Sequence, residues 1–460
     1  MEKVVPPPVL SIYKKLKKAG FQAYFVGGCV RDFLMGKPID DWDFATDATP
    51  EQIQNVFSHS FYDNMFGTVG IPLPKVPEQE HEGVVEITTF RTEGKYRDLR
   101  RPEKVEWGNT IEEDLSRRDF TMNAIAAALE PTANSQQLTA TYVDPFKGLL
   151  DIEKKLIRTV GIPNDRFNED ALRLLRAIRF ATQLEFEIEK ETWNAIQKNA
   201  QNIGKISGER IRDELLKILS ADRAFEGIAL LDKSGLLDQI IPELGKGKGI
   251  SQVRPGRHHV SDVFTHNIES LKHCPSRDPI VRLATLLHDV GKPYVRSEDE
   301  QGHVIFYNHE VKGAQIAYEI CDRLRLSKKQ RDKIVTLIRW HMFTVDEKIT
   351  DSAVRRFIRR VGVDNVADMM DLRIGDRLGG GTQVAESWRL KKFKERVAKE
   401  LHPPFSINDL AIDGNDVMRE LGMEPGPKVG EILQKLFEEA DEDLSRNTPE
   451  YLLKRVHELK

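Results

Sequence analysis

The sequence predicts an α+β protein, a small α/β head followed by a long all-helical remainder. Strand and helix signals alternate up to about residue 150, strand signals nearly vanish after about 151, and apolar residues then recur with helical period toward the C-terminus. At 460 residues the chain exceeds one ordinary core and fits two to four domains. With 31% charged and 40% hydrophobic residues it reads as a soluble globular protein, and no uninterrupted apolar run is long enough to span a bilayer, so no membrane partner is expected. A net charge of −4 removes any global attraction to nucleic acid, so RNA contacts would come from local basic stretches at 94–104, 173–179 and 354–362. "MEKVVPPPVLSIYKKLKKAG" lacks a secretory apolar core, and Cys29, Cys274 and Cys321 make neither a disulfide framework nor a CxxC site; both features predict a cytoplasmic location. Cys29 reads as a small buried residue.

In the head, "YFVGGCVRDFLMGKPIDDWDFAT" (24–46) runs a strand into a Gly-Gly turn, a short helix and a second extended segment. Gly27 and Gly28 let backbone N–H groups approach an anion, and Arg31 follows one turn later. Asp41 and Asp43 are two residues apart, so on a strand they share a face. Like charges side by side repel, and the pairing becomes favourable around divalent cations. "EQIQNVF" reads as a helix, "VVEITTFR" as a strand, "LSRRDFTMNAIAAALE" as the start of a helix and "TANSQQLTA" as a polar loop. Beyond 151, "NEDALRLLRAIRFATQ", "SGERIRDELLKILS", "VRLATLLHDVG" and "KIVTLIRWHMF" read as helices. "LGKGKGISQVRPGR" (244–257) reads as a linker, and a last helical unit covers roughly 405–460.

Three groups fit nucleotidyl transfer. Asp41 and Asp43 would hold Mg²⁺ that polarises an α-phosphate and lowers the pKa of an attacking hydroxyl. Gly28 and Arg31 would hold the triphosphate, and Arg118 in "RRDFTMNA" adds a phosphate or ribose contact at a helix opening. In "EDALRLLRAIR", Asp170, Arg173, Arg176 and Arg179 are spaced by three and form an inclined stripe, with Leu174, Leu175 and Ile178 turned elsewhere. A carboxylate beside guanidinium donors matches the pairing edges of both cytosine and adenine. The alternative is an amphipathic helix with i, i+3 ion pairs on a wet face.

"VGGCVRD", "DDWDFAT", "RRDFTMNAIA", "EDALRLLRAIRF" and "SGERI" follow one another as in the class II tRNA nucleotidyltransferase and bacterial poly(A) polymerase family, which this chain resembles from about 20 to 220. "IDGNDVMRELGMEPGPKVGEILQKL" also resembles the family's RNA-binding tail. The resemblance implies a DNA polymerase beta-like nucleotidyltransferase head (1–150), a base-recognising helical neck (151–220), a helical body (221–400) and a tRNA-binding tail (401–460). It implies untemplated addition of CMP and AMP to the tRNA 3′ end from CTP and ATP. By that match Asp41 and Asp43 are metal ligands, and Gly28, Arg31, Arg118, Asp170, Arg173, Arg176 and Arg179 are nucleotide contacts. Glu209 and Arg210 match the neck motif, with a helix-start ion pair as the alternative. "TTFRTEGKYRDLRRPEKVEWG" resembles the flexible loop associated with the switch from C to A, which argues against CC-only addition. Full CCA addition, A-only addition and poly(A) synthesis stay open.

A second set runs through 258–376: His266, His288 with Asp289, His309, His341 and Asp376. Adjacent His and Asp on a helix diverge by about 100°, so both face one metal only at a suitable crossing. Mixed His and carboxylate ligation suits Mn, Fe, Ni or Zn, a divalent transition metal left unspecified, and leaves water positions open. The pattern resembles the HD phosphohydrolase superfamily, over about 258–380. That resemblance makes His266, His288, Asp289 and Asp376 the core metal set, with His309 and His341 as ligands of a second ion. Lys292 would be an electrophile near phosphate or a helix-end cap. Hydrolysis of phosphomonoesters or cyclic phosphodiesters is the implied second activity. The alternatives are a helical scaffold without turnover, or an HD hydrolase whose head merely binds nucleotide or RNA.

Overall fold

The computed structural model describes the whole chain except residues 1–4, 63–66, 74–82, 94–95, 98–100, 103–104, 132–137, 253–260, 347, 402–405 and 460. Its internal contacts divide it into two compact units, 1–242 and 243–460. The first is the α/β head with helices behind it and the second is almost wholly helical, so the chain is α+β. No helix among the described residues is long and apolar enough to cross a membrane.

In the first unit, helix α1 (Pro7–Lys18) lays Val9, Ile12, Tyr13 and Leu16 on a mixed seven-stranded sheet. The strands are β1 (Ala23–Val26), β2 (Trp42–Thr46), β3 (Phe61–Tyr62), β4 (Thr68–Pro72), β5 (Val84–Thr89), β6 (Ala126–Pro131) and β7 (Leu138–Val143), in the order β7-β6-β1-β2-β5-β4-β3. Neighbours are antiparallel except β2 and β5, which run parallel and set Asp43 beside Glu86. Phe25, Phe44, Val85 and Ile87 form the core under α1.

The segment "IAAALE" differs from expectation. Helix α3 (Ile111–Ser116) stops, a 3₁₀ turn spans Thr121–Asn123, and the alanines continue as β6. Alanine favours helix locally, but Ala126 and Ala127 are completely buried in a strand paired on both sides, and sheet burial overrides the propensity. Likewise "LTA" belongs to β7 rather than a loop, while 132–137 of that stretch lie outside the described residues. The segment expected as a flexible loop contains two antiparallel ladders, Arg91–Glu93 with Val105–Trp107 and Tyr96–Arg97 with Arg101–Pro102. The intervening 94–95, 98–100 and 103–104 are outside the described residues.

The helices bearing on function follow. They are α2 (Gly28–Leu34), α4 (Pro163–Glu169), α5 (Leu172–Leu184) and α6 (Gly208–Leu219), all in the first unit. The second unit contains α7 (Val263–His273), α8 (Pro279–Leu287), α9 (His309–Arg323), α10 (Lys328–Trp340), α11 (Asp351–Val361), α12 (Val366–Gly379) and α13 (Pro427–Glu442). Within that unit, Arg355 and Arg359 of α11 meet Asp441 of α13 at 2.7 and 2.6 Å. The linker expected at 244–257 begins in a short helix, Pro242–Gly245, and its residues 253–257 are outside the described ones.

Candidate active site and metal cluster

One cavity of about 720 Å³ in the first unit gathers the head's acidic residues and the guanidiniums of the following helices. Gly28, Arg31, Asp41, Asp43, Arg118, Asp170, Arg173, Arg176 and Arg179 all line it. Every nucleotide-site residue expected from the sequence therefore reaches the same space.

Asp41 precedes β2 and Asp43 lies within it. Burial, partly offset by the Arg118 guanidinium and reinforced by Glu86 and Asp41, pushes the Asp43 carboxyl up to about 6. Three clustered carboxylates offer only hard oxygen donors, which suits Mg²⁺-type coordination. Sequence reasoning missed Glu86, whose faint signal was a lone acid in the apolar strand "VVEITT". The turn before α2 depends on Gly27 more than on Gly28. Gly27 has φ +74°, and a Cβ there would stand 3.0 Å from Arg118 Nη1. At Gly28 a Cβ would make an ordinary 3.7 Å contact with Arg31.

The cations are held from neighbouring elements. Arg31 donates to Asn123 Oδ1 at 2.8 Å and to Asp32 at 2.8 and 2.9 Å. Arg118 meets Asp114 of α3 at 3.0 Å, and Arg117 shares that carboxylate. Arg176 Nε donates to Asp119 Oδ2 at 2.7 Å, and Arg179 pairs with the buried Glu214 of α6 at 3.0 Å. Arg173 donates to the Arg117 and Arg166 carbonyls at 3.1 and 3.0 Å and contacts Glu169.

Two expectations are corrected. Asp170 is not on the arginine helix: it is extended, between α4 and α5, where it accepts from the Leu172 N–H at 3.0 Å. Its carboxylate pairs with Arg210 of "SGERI" at 2.7 Å, across forty positions of sequence, so Arg210 is more than half of a helix-start ion pair. The stripe is also no wet face, because Arg173 and Arg179 are buried in the cavity wall.

The second unit brings together all six residues of the other set. His266 on α7, His288 and Asp289 just beyond α8, His309 opening α9, His341 ending α10 and Asp376 on α12 converge from five helices. His266 Nε2 lies 3.4 Å from Asp289 Oδ2 and 3.3 Å from Asp376 Oδ1. His288 Nε2 lies 3.3 Å from Asp289 Oδ2, and His309 Nε2 lies 3.3 Å from Asp289 Oδ1. Among the described residues, two metal-compatible triads arise, His266–His288–Asp289 and Asp289–His309–His341, sharing Asp289 through its two oxygens. Adjacent His288 and Asp289 both face the centre because the chain has left α8.

The Nδ1 atoms of His288, His309 and His341 donate to the Thr285, Phe306 and Ile338 carbonyls at 2.7–2.8 Å. That turns each Nε2 inward, the nitrogen through which these imidazoles would ligate an ion. Burial opposes charge throughout, yet Asp289 and Asp376 hold His288 up at about 10, while burial and the neighbouring His288 drive His341 down to about 3. A centre that calls so strongly for positive charge fits divalent ions. Lys292 opens a short helix, and its ammonium contacts Asp289 and Gln252.

The description "Poly A polymerase head domain" matches residues 23–158, "Probable RNA and SrmB- binding site of polymerase A" matches 185–246, and "HD domain" matches 268–377. A CCA-adding enzyme of Ligilactobacillus salivarius is 32% identical over 438 residues, covering 94% of this chain and 91% of that protein. The chain belongs to the class II tRNA nucleotidyltransferase family. An A-adding tRNA nucleotidyltransferase of Deinococcus radiodurans, another relative, is 33% identical over 429 residues, 90% of this chain and 91% of that one. The crystal structure of the Bacillus stearothermophilus CCA-adding enzyme in complex with CTP superposes with a TM-score of 0.72 at 28% identity, covering 99% of this chain and 98% of that one. The HD domain is thus part of a tRNA nucleotidyltransferase, and nucleotidyltransferase and HD domains both belong to generally metal-dependent classes.

Proposed function

We propose that this chain adds CMP and AMP to the tRNA 3′ end from CTP and ATP without a template, with Mg²⁺ at Asp41 and Asp43. The observation that carries the reading is the single cavity joining the acidic cluster to Gly28, Arg31, Arg118 and the arginines of α5. Bound Mg²⁺ would supply charge neutralisation at the α-phosphate and a lowered pKa for the attacking 3′-hydroxyl. The chain's own residues do the positioning. Arg31 and Arg118 hold phosphate oxygens beside the acids, and the backbone at Gly28 approaches the triphosphate. Asp170 and Arg173 face the base edge, with Arg210 orienting Asp170, and Arg176 and Arg179 complete the cationic wall. Catalysis is then mainly orientation and electrostatics. We assign 1–150 to the head, 151–220 to the neck, 221–400 to the body and 401–460 to the tRNA-binding tail, in a cytoplasmic enzyme.

Primers ending in the discriminator base, in C and in CC, assayed with each nucleotide separately, test the product. Full CCA addition gives incorporation of C on the first two and of A on the third. Incorporation of A alone on the CC primer would reassign the chain to A-only addition, a reading kept in view by the A-adding relative; long A tracts would indicate poly(A) synthesis. Asp41→Ala and Asp43→Ala are expected to abolish incorporation while tRNA binding persists.

The shared Asp289 favours a second activity, hydrolysis of phosphomonoesters or cyclic phosphodiesters at a transition-metal pair held by His266, His288, Asp289, His309, His341 and Asp376. Lys292 beside Asp289 would meet the phosphate. Release of phosphate from such substrates, lost in His288→Ala, tests it.

A further inference from the structure

Three guanidiniums of the nucleotidyl-transfer cavity converge on one aromatic ring. Phe180 on α5 is 6% exposed, and its ring centroid lies 4.2 Å from the Arg179 guanidinium carbon and 5.4 Å from those of Arg31 and Arg176. The ring is braced edge-to-face by Phe120, at 5.7 Å and 84°. Each cation also has one carboxylate partner: Asp32 for Arg31, Asp119 for Arg176 and Glu214 for Arg179. These partners come from three different elements, and Asp119 and Glu214 each act on both Arg176 and Arg179. The Phe180 ring lies within 5.4 Å of all three guanidiniums.

Like charges gathered in a low-dielectric wall repel, and something must offset that before an anion arrives. A further carboxylate at the centre would attract the cations but would also neutralise them and repel a triphosphate. An aromatic face attracts cations through its quadrupole while adding no net negative charge. A leucine would fill similar space and offer no such face.

We propose that Phe180 is a positioning residue for the nucleotide: its ring holds Arg31, Arg176 and Arg179 as a preorganised anion-binding cluster. The inference rests on the reading of this cavity as the nucleoside triphosphate site, and goes beyond it by making an apolar residue the organiser of the cationic wall.

The test uses the full-length protein with Phe180 replaced by mono-, di- and trifluorinated phenylalanine, which weakens the quadrupole at nearly constant shape, beside Phe180→Tyr and Phe180→Leu. Steady-state incorporation of CMP on the discriminator primer and of AMP on the CC primer is read as KM and kcat separately. KM for both nucleotides is expected to rise stepwise with fluorination and to reach about 5- to 30-fold in Phe180→Leu, with kcat changing far less. Phe180→Tyr keeps the face and is expected to stay within about twofold of the parent. A KM indifferent to fluorination, in a protein whose unmodified form incorporates nucleotide, would overturn the inference and leave Phe180 as packing. No incorporation by the unmodified protein would overturn the nucleotidyl-transfer reading itself, and this inference with it.

Discussion

Asp119 stays charged inside the first unit because its neighbours outweigh its burial. Burial alone would raise its pKa, but Arg176 and Arg173, with hydrogen bonds from Arg176 and Asn123, hold it at about 2, against 3.8 for a free aspartate. A depressed carboxylate stabilises the fold above its unfolded value and loses that contribution as pH falls through the folded one. The shift corresponds to about 2 kcal/mol, fully present at pH 7 and lost between about pH 4 and pH 2. Asp119→Asn should therefore cost about 2 kcal/mol at neutral pH in urea unfolding, with the deficit shrinking as pH drops from about 4.5 toward 3. A deficit that ignores pH would assign the loss to packing instead. Asp43 goes the other way, up to about 6, because burial and two nearby carboxylates outweigh Arg118. Asp41 and Asp43 were legible in the sequence as acids two residues apart, and both line the cavity although Asp41 stands just before β2. Glu86 was not, since its partnership exists only through the parallel β2–β5 register. Asp119 was visible only as a neighbour of Arg118, since nothing local announces a contact with a helix some sixty residues on.

Elements set how closely such side chains approach, and α7 against α12 is the clearest case. A Cβ on Gly375 would lie 2.6 Å from the Ser270 carbonyl oxygen, and one on Gly379 would lie 2.5 Å from the Ser270 nitrogen. The two helices touch because α12 has no side chain at those positions, and Asp376 sits next to Gly375 on the same helix. Gly375→Ala should force the pair apart, cost about 1–3 kcal/mol, and loosen the hold of Asp376 on the His266 side of the cluster. Calorimetry and divalent-ion titration check both effects. Gly430 in α13 is the contrasting case: a Cβ there meets nothing within 4 Å. Gly430→Ala should raise stability by about 0.5–1 kcal/mol, through helix propensity and a less free unfolded chain. The same scale shows what the sequence could and could not say about the fold. In the second unit α8, α10 and the last helical stretch were legible because their apolar residues recur with helical period. The alanine strand β6 was not, since its helix preference is reversed only by the strands on either side. Asp170 looked helical by spacing, yet α4 ends before it and α5 begins after it, which frees its carboxylate for Arg210.

At the scale of the whole molecule, two compact units each hold an acidic cluster suited to divalent ions, and their donor chemistry differs. The first offers carboxylate oxygens at the edge of an open cavity. The second adds four imidazoles to two carboxylates in a buried centre. Hard oxygen sites bind Mg²⁺ weakly and share it with substrate phosphates, whereas imidazole-rich sites bind transition metals tightly. Metal removal should therefore affect the two units unequally. An ion bound only by the folded state stabilises it by RT ln(1 + [L]/Kd), about 2.7 kcal/mol at a hundredfold excess over Kd. Chelator-treated protein should lose thermal stability in the transition of the 243–460 unit and regain it with Mn²⁺ or Zn²⁺, while Mg²⁺ restores little. The gain should vanish in His288→Ala and His309→Ala and persist in Asp43→Ala. A stabilisation that survives both histidine substitutions would place the ion outside the cluster around Asp289. One that disappears in Asp43→Ala would tie it to the carboxylates beside β2, and the division of metals between the two units would fall.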